Sequence, residues 1–142
     1  MCIRDSIYVA SVAMGANHNQ LIKAFQEAEQ YNGPSIIIAY SPCITHGIDM
    51  SRSQREQKLA VETGYWPLYR FNPDLKKVGK NPFQLDMKEP SKDLQEIINN
   101  EVRFKALDKQ FPEEAVKLQK LLKDDIKARW ETLKKLAEHN IF

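Results

Sequence analysis

Between Pro34 and Gly47 the chain reads Pro34-Ser35-Ile36-Ile37-Ile38-Ala39-Tyr40-Ser41-Pro42-Cys43-Ile44-Thr45-His46-Gly47, an apolar, β-prone run with a proline near each end. Four consecutive apolar residues, Ile36 to Ala39, set between Gly33-Pro34 and Ser41-Pro42, suit a central parallel strand covered on both faces. Such a strand delivers Cys43 to a turn at its carboxyl end. Open α/β sheets keep their chemistry at that edge, which makes Cys43 the first candidate functional residue.

The residues before this strand build the unit it belongs to. Ile7-Tyr8-Val9-Ala10-Ser11-Val12-Ala13 predicts a short strand, and Met14-Gly15-Ala16 a break after it. Asn17 with Gln20 has the spacing of a capping box, and Leu21, Ala24, Phe25 and Ala28 recur at helical spacing until Gly33-Pro34 stops the helix. Strand, helix and strand with short connections make a βαβ unit whose crossover is right-handed by rule. The turns at Met14–Asn17 and Ser41–Gly47 then share one edge beside the amino end of the helix, where a ligand or cofactor would sit. With a single glycine, Met14-Gly15-Ala16-Asn17 matches neither the dinucleotide fingerprint nor the phosphate loop, and reads as a plain tight turn.

Downstream, Ser53 with Glu56 is a second capping-box pattern, opening a helix through Leu59-Ala60-Val61 that Gly64 ends as a left-handed C′ residue. Its polar face is Arg55, Lys58 and Glu62. Tyr65 to Phe71 predicts a third strand with Leu68, Arg70 and Asn72 on one face and Tyr69 and Phe71 on the other. Tyr65, Trp66, Tyr69 and Phe71 read as core and domain contacts rather than a stacking platform. Phe83 to Asp86 predicts a brief edge strand, and Ser91 caps a short helix through Leu94, Ile97 and Ile98, with Asp93 and Glu96 near its start. From Pro112 a long helix runs to about Glu138, with Glu113 and Glu114 in its first turn. Its apolar stripe is Ala115, Leu118, Leu122, Ile126, Trp130, Leu133 and Ala137, the mark of a packing helix at a domain rim rather than a coiled-coil seam.

Composition removes several classes of function. The 142 residues carry 21 basic and 19 acidic side chains, a formal charge of +2, with no basic run interleaved with aromatics, so nucleic-acid binding is not expected. No stretch approaches a membrane span and no secretory signal core is present, which predicts a cytoplasmic protein that binds no membrane. Two cysteines, Cys2 and Cys43, give no disulfide framework. On composition alone Cys43 is an inert small hydrophobe. A zinc site built on Cys43 and His46 lacks a second Cys-x-x-Cys or His-x-x-x-His pair, with His18 and His139 far away in sequence.

Four blocks change the weight of these readings: Val9 to Gly15, Gly33 to Gly47, Gly64-Tyr65-Trp66-Pro67-Leu68-Tyr69-Arg70-Phe71-Asn72-Pro73, and Gly79-Lys80-Asn81-Pro82-Phe83-Gln84-Leu85-Asp86. In order and spacing they closely resemble the carboxyl-terminal part of pyruvate:ferredoxin (flavodoxin) oxidoreductases, and the resemblance covers nearly everything after Ser6. It implies an α/β fold: the end of a thiamin-diphosphate-binding, Rossmann-like domain with a mostly parallel sheet over residues 7–90, then a helical extension over 91–142. It also implies an oxidoreductase that converts pyruvate and coenzyme A to acetyl-coenzyme A and carbon dioxide and passes electrons to ferredoxin or flavodoxin.

By the same resemblance, Cys43 aligns with the fourth ligand of the [4Fe–4S] cluster nearest the thiamin diphosphate. Thiolate is the usual protein ligand for cluster iron, so a cysteine suits the position. The other three cysteines, the thiamin-binding strand and the Mg²⁺-binding residues precede this segment in the family. The chain is therefore expected to be a piece of a larger, homodimeric enzyme, to hold no cofactor stably by itself, to contain no catalytic residue and to show no turnover alone. Met1 to Ser6 does not continue the pattern and reads as a non-native leader, which leaves Cys2 without a role. The loop Ile48–Gln54 departs from members that carry a glycine-rich insertion there. Two rivals remain open: a stand-alone α/β ligand-binding module, and a non-catalytic assembly subunit docking through Val102 to Phe142.

Overall fold

A computed structural model describes residues 6–139. Residues 1–5, which hold Cys2 and nearly all of the expected leader, lie outside the described residues. The chain runs β1 (Tyr8–Val12), α1 (His18–Gln30), β2 (Ser35–Ala39), two single 3₁₀ turns (Ile44–His46 and Met50–Arg52), α2 (Ser53–Glu62) and β3 (Tyr69–Phe71). It continues with α3 (Asp74–Lys77), β4 (Phe83–Leu85), α4 (Gln95–Asn100), α5 (Val102–Gln110) and α6 (Pro112–Glu138).

The four strands form one mixed sheet in the order β2-β1-β3-β4. The expected βαβ unit is present: β1 and β2 are parallel, from Tyr8 opposite Ser35 to Val12 opposite Ala39. β3 runs antiparallel to β1, and β4 antiparallel to β3. The eleven residues between Phe71 and Phe83 are too few for the crossover a parallel pair needs, so that pair reverses.

The isoleucine run does not occupy the centre. β2 is an edge strand and mostly exposed, while the central position belongs to β1, whose Tyr8, Ala10 and Val12 are wholly buried. Alternation divides β2 between two environments. Ile37 packs with Ala24, Leu21 and Ala28 of α1, whereas Ile36 and Ile38 point to the opposite face and remain 46% and 43% exposed. A run of β-formers announces that a strand exists; it does not say whether this chain supplies the neighbours.

Helix boundaries follow the predicted pattern with different caps. Asn17 caps α1, its side chain accepting from the Gln20 amide at 3.0 Å, but the Gln20 side chain does not reciprocate. Instead it donates to the Ser11 carbonyl at 3.1 Å and to Asp86 at 3.2 Å. Phe25, expected in the core, is exposed next to Ile22, because α1 turns only its Leu21–Ala24–Ala28 stripe to the sheet. Ser53 lies inside α2 in helical geometry rather than capping it; Asp49 accepts from the Ser51 amide at 3.0 Å and starts the 3₁₀ turn that runs into the helix. Ser91 likewise yields to Asp93, which accepts from the Gln95 amide at 2.8 Å, while the Ser91 amide donates to Glu62 O at 2.9 Å. Gly64 ends α2 as expected, at φ +74°.

Helix α6 runs over the predicted span, but its stripe is buried unevenly. Ala115 and Ile126 are buried, Leu122, Trp130, Leu133 and Ala137 partly so, and Leu118 is exposed. The main core gathers Leu59 and Ala60 of α2, Leu94, Ile97 and Ile98 around α4, and Ile126 of α6, with Tyr40, Tyr65 and Trp66 against it. Across the sheet, Arg70 of β3 is almost fully buried and grips Asp86 through Nε at 2.7 Å and Nη2 at 2.9 Å, and it also pairs with Glu27 of α1. The Tyr8 hydroxyl donates to Glu27 at 3.0 Å, closing a polar network that ties α1 to β1, β3 and the residue that follows β4.

Candidate functional site

The turn that carries Cys43 grows directly out of the sheet. The Tyr40 amide donates to Val12 O at 3.0 Å, continuing the parallel ladder one residue past β2. Ser41-Pro42 then leads to Cys43, in extended conformation (φ −115°, ψ 140°) at the start of the 3₁₀ turn Ile44–His46. Two bonds hold that turn, His46 N to Cys43 O and Gly47 N to Ile44 O, each 3.0 Å. Gly47 closes it at φ +74°, and any Cβ there would meet Val102 Cγ2 at 2.2 Å, so the turn lies directly on the start of α5.

Cys43 is a half-exposed free thiol. Its Sγ lies 2.7 Å from the Thr45 hydroxyl, in a hydrogen bond that either atom can donate, and the nearby backbone amides of Thr45 and His46 also favour the thiolate. The Thr45 hydroxyl is the largest of the influences that lower the thiol's pKa, ahead of the two amides, and it outweighs the small opposing effect of desolvation. Donors aimed at a sulfur stabilise its thiolate, the form that ligates metal. Sequence reading missed Thr45; a hydroxyl two residues after a cysteine, in a turn-forming Pro-Cys-x-Thr context, is the local signal that points to it.

Behind the turn, Tyr40 packs against Trp66 (ring centroids 5.2 Å apart) and edge-on to Tyr65 (6.4 Å). Burial first, then the charge of Glu101, push its phenol up to about 12. Glu101 is wholly buried and pairs with Arg103, which reaches the Tyr65 hydroxyl at 3.2 Å. The aromatics singled out in the sequence thus serve as packing: Trp66 Nε1 donates to Val12 O at 3.1 Å, and Tyr69 stacks on Phe83 at 5.4 Å.

The second turn on this edge is already closed. The Gly15 amide donates to Gln57 Oε1 at 2.7 Å, and a Cβ on Gly15 would lie 2.2 Å from Gln54 O. The amides of Ala16 and Asn17 both donate to Ala13 O at 3.1 Å. It is a tight turn packed under α2, with the amides of Gly15, Ala16 and Asn17 all engaged within the chain. Among the described residues no three His, Cys, Asp or Glu side chains converge on a metal-sized space, so Cys43 and His46 form no zinc site within them.

A cleft of about 520 Å³ lies elsewhere, on the sheet face under α6, between Val9, Tyr69, Phe71 and Phe83 on one side and Leu133 and Leu136 on the other. No described helix is long and apolar enough to cross a membrane.

No family model matches the chain. Comparison with individual proteins is decisive. Over 132 residues, 93% of the chain, it is 60% identical to the pyruvate:ferredoxin oxidoreductase of Moorella thermoacetica. It is 53% identical over 133 residues to the pyruvate-flavodoxin oxidoreductase of Enterobacter agglomerans and 50% identical over 132 residues to that of a Nostoc species, covering 92% and 93% of the chain. In each case the chain spans 11% of the relative's length.

Proposed function

We propose, for a chain that belongs with the pyruvate:ferredoxin (flavodoxin) oxidoreductases and corresponds to one segment of them, that Cys43 is one thiolate corner of an iron–sulfur cluster whose other ligands lie elsewhere in the polypeptide. The observation that carries this reading is a half-exposed thiol hydrogen-bonded to the Thr45 hydroxyl, 2.7 Å from Cys43 Sγ, in a turn just beyond a strand's carboxyl end. An inert cysteine behaves as a small buried hydrophobe. Cys43 is half-exposed, its sulfur is hydrogen-bonded to Thr45, and it stands just past the carboxyl end of a strand, as a ligand must to be reached from outside the chain.

A four-iron cluster takes about four cysteine ligands, so this segment fits as the source of one. In the parent enzyme the reaction is the oxidative decarboxylation of pyruvate with coenzyme A to acetyl-coenzyme A and carbon dioxide. The chemistry supplied by the cofactors when bound is decarboxylation at thiamin diphosphate with Mg²⁺ and one-electron transfer through [4Fe–4S] clusters to ferredoxin or flavodoxin. The residues of this segment hold and tune. The 3₁₀ turn fixes the sulfur's position, and the same donors that lower the thiol pKa would draw negative charge from a ligating sulfur and so adjust the cluster's potential. The α/β part over residues 7–90, the helical extension over 91–142, a homodimeric parent and a cytoplasmic setting belong to the same reading.

The test is Cys43→Ser in the full-length polypeptide. Iron content should fall by about four atoms, the content of one such cluster, with loss of that cluster's paramagnetic signal and of pyruvate-dependent dye reduction. Unchanged iron and an undisturbed cluster spectrum would assign Cys43 to packing alone.

A further inference from the structure

Glu101 alone separates α4 from α5. Its backbone is extended, at φ −104° and ψ 128°, and its side chain is wholly buried. One carboxylate oxygen pairs with Nε of Arg103; the other, Oε1, is buried with no hydrogen-bond partner among the described residues. A buried charge with an unmet acceptor destabilises relative to a well-packed apolar side chain of similar volume, and the best-attested use of such groups is to fix one arrangement among several.

The arrangement in question is visible from what residues 101–103 touch. They meet the Cys43 turn at both of its ends. At the far end Gly47 lies on Val102, so close that any Cβ would come within 2.2 Å of Cγ2 and 2.5 Å of Cβ. At the near end stands Tyr40, the last residue on the ladder, edge-on to Tyr65, whose hydroxyl accepts from Arg103 Nη2 at 3.2 Å. The elbow is itself held from behind. Asn100 Nδ2 donates to Glu56 of α2 at 3.2 Å, and the Arg103 guanidinium lies over the Phe104 ring, 4.7 Å from its centroid.

Charge is not the route to the sulfur. After burial, the charge of Glu101 is the largest influence on the Tyr40 phenol. The Cys43 thiol is instead shifted by the Thr45 hydroxyl and amide, by desolvation and by the His46 amide, all within its own turn. Glu101 therefore reaches Cys43 through contacts, along Val102 to Gly47 and along Arg103 and Tyr65 to Tyr40.

We propose that the Glu101–Arg103 pair is a positioning element for Cys43, locking the elbow on which both ends of the cysteine's turn rest and so fixing where the sulfur stands. A ligand must be held to within about 0.5 Å of its working geometry, and the single 3₁₀ turn Ile44–His46 has only two backbone bonds of its own to do so. The inference deepens the iron–sulfur reading of Cys43 and rests on it.

The experiment uses the full-length polypeptide with its clusters, handled without oxygen. Cys43→Ser first identifies the paramagnetic signal of the cluster that Cys43 holds. Glu101→Gln then removes the charge and keeps the shape, whereas Val102→Ala leaves every charge in place and takes away the methyl groups under Gly47. Both variants should keep the parent's iron content. Both should broaden that one signal, because the sulfur now samples a spread of positions, and should release iron to a chelator about tenfold faster. If Glu101→Gln does not fold, Arg103→Lys, which keeps the charge and loses the reach to Tyr65, carries the same expectation. An unaltered signal and release rate in both variants, with only a lower urea midpoint, would assign the pair to packing and overturn the proposal. A change in one variant alone would overturn it too: in Glu101→Gln alone it makes charge the agent, in Val102→Ala alone it makes Val102 independent of the pair. Iron and spectrum intact in Cys43→Ser would instead remove the iron–sulfur reading and this inference with it, so the two failures are separately visible.

Discussion

The sulfur of Cys43 owes its character to one neighbouring hydroxyl more than to anything else. The Thr45 hydroxyl, 2.7 Å away, is the largest of the influences that hold the thiol below its ordinary pKa. Because the shift is downward, the thiolate survives to lower pH than in a free cysteine, and alkylation of the metal-free protein should set in correspondingly early. Thr45→Val keeps the side chain's shape and removes the donor. The pH midpoint of iodoacetamide labelling at Cys43 should move upward, with little change in unfolding midpoint; an unmoved midpoint would mean that the two backbone amides suffice. Gly47 makes a steric claim on the same turn. At φ +74° an alanine costs about 1–2 kcal/mol for backbone conformation alone. Its Cβ would in addition strike Val102 Cγ2 at 2.2 Å and Cβ at 2.5 Å. Gly47→Ala should therefore destabilise by more than the conformational term, and Val102→Ala should restore only part of the loss, because the Cβ contact stays. Chemical denaturation of the four proteins of that cycle measures both terms.

Among the elements, the parts most legible in sequence were those governed by local rules. Pro112 at the first turn of α6, Asn17 before α1 and Gly64 after α2 all act where their chemistry says they must. Ser53 and Ser91 failed because an acidic side chain close by, Asp49 or Asp93, took the capping role. Arg70 was placed on the correct face of β3, yet nothing local announces that Glu27, 43 residues earlier, and Asp86 converge on it. Arg70→Met should cost about 3 kcal/mol, since it strands two partly buried carboxylates beside Tyr8. Glu27→Gln should cost less, because Asp86 keeps both of its bonds to Arg70. Equal losses in urea unfolding would show that α1, and not Asp86, anchors the guanidinium.

At the scale of the whole molecule, periodicity described faces correctly but could not say what covers them. The Ile36–Ile38 run reads as buried, yet Ile36 and Ile38 stay nearly half-exposed on a strand at the edge of the described sheet; Leu118 reads as core and stands exposed on the amino half of α6. That helix, about 40 Å long from its 27 residues, does two jobs. Its carboxyl half roofs the sheet with Leu133 and Leu136, anchored by Asn81 on its last carbonyls and by Arg129 Nη2, which donates at 2.9 Å to both Gly64 O and Tyr65 O. Its amino half leaves Val116, Leu118 and Leu121 in the open. Ending the chain after Ile126 should therefore uncover Val9, Tyr69, Phe71 and Phe83 and lower both the urea midpoint and the m-value, the latter because the native state itself now exposes apolar surface. Leu118→Glu with Leu121→Glu, on the open half, should stay within about 0.5 kcal/mol of the parent chain. If the double substitution proves as damaging as the truncation, the amino half of α6 is packed in solution, and the division of labour along this helix is wrong.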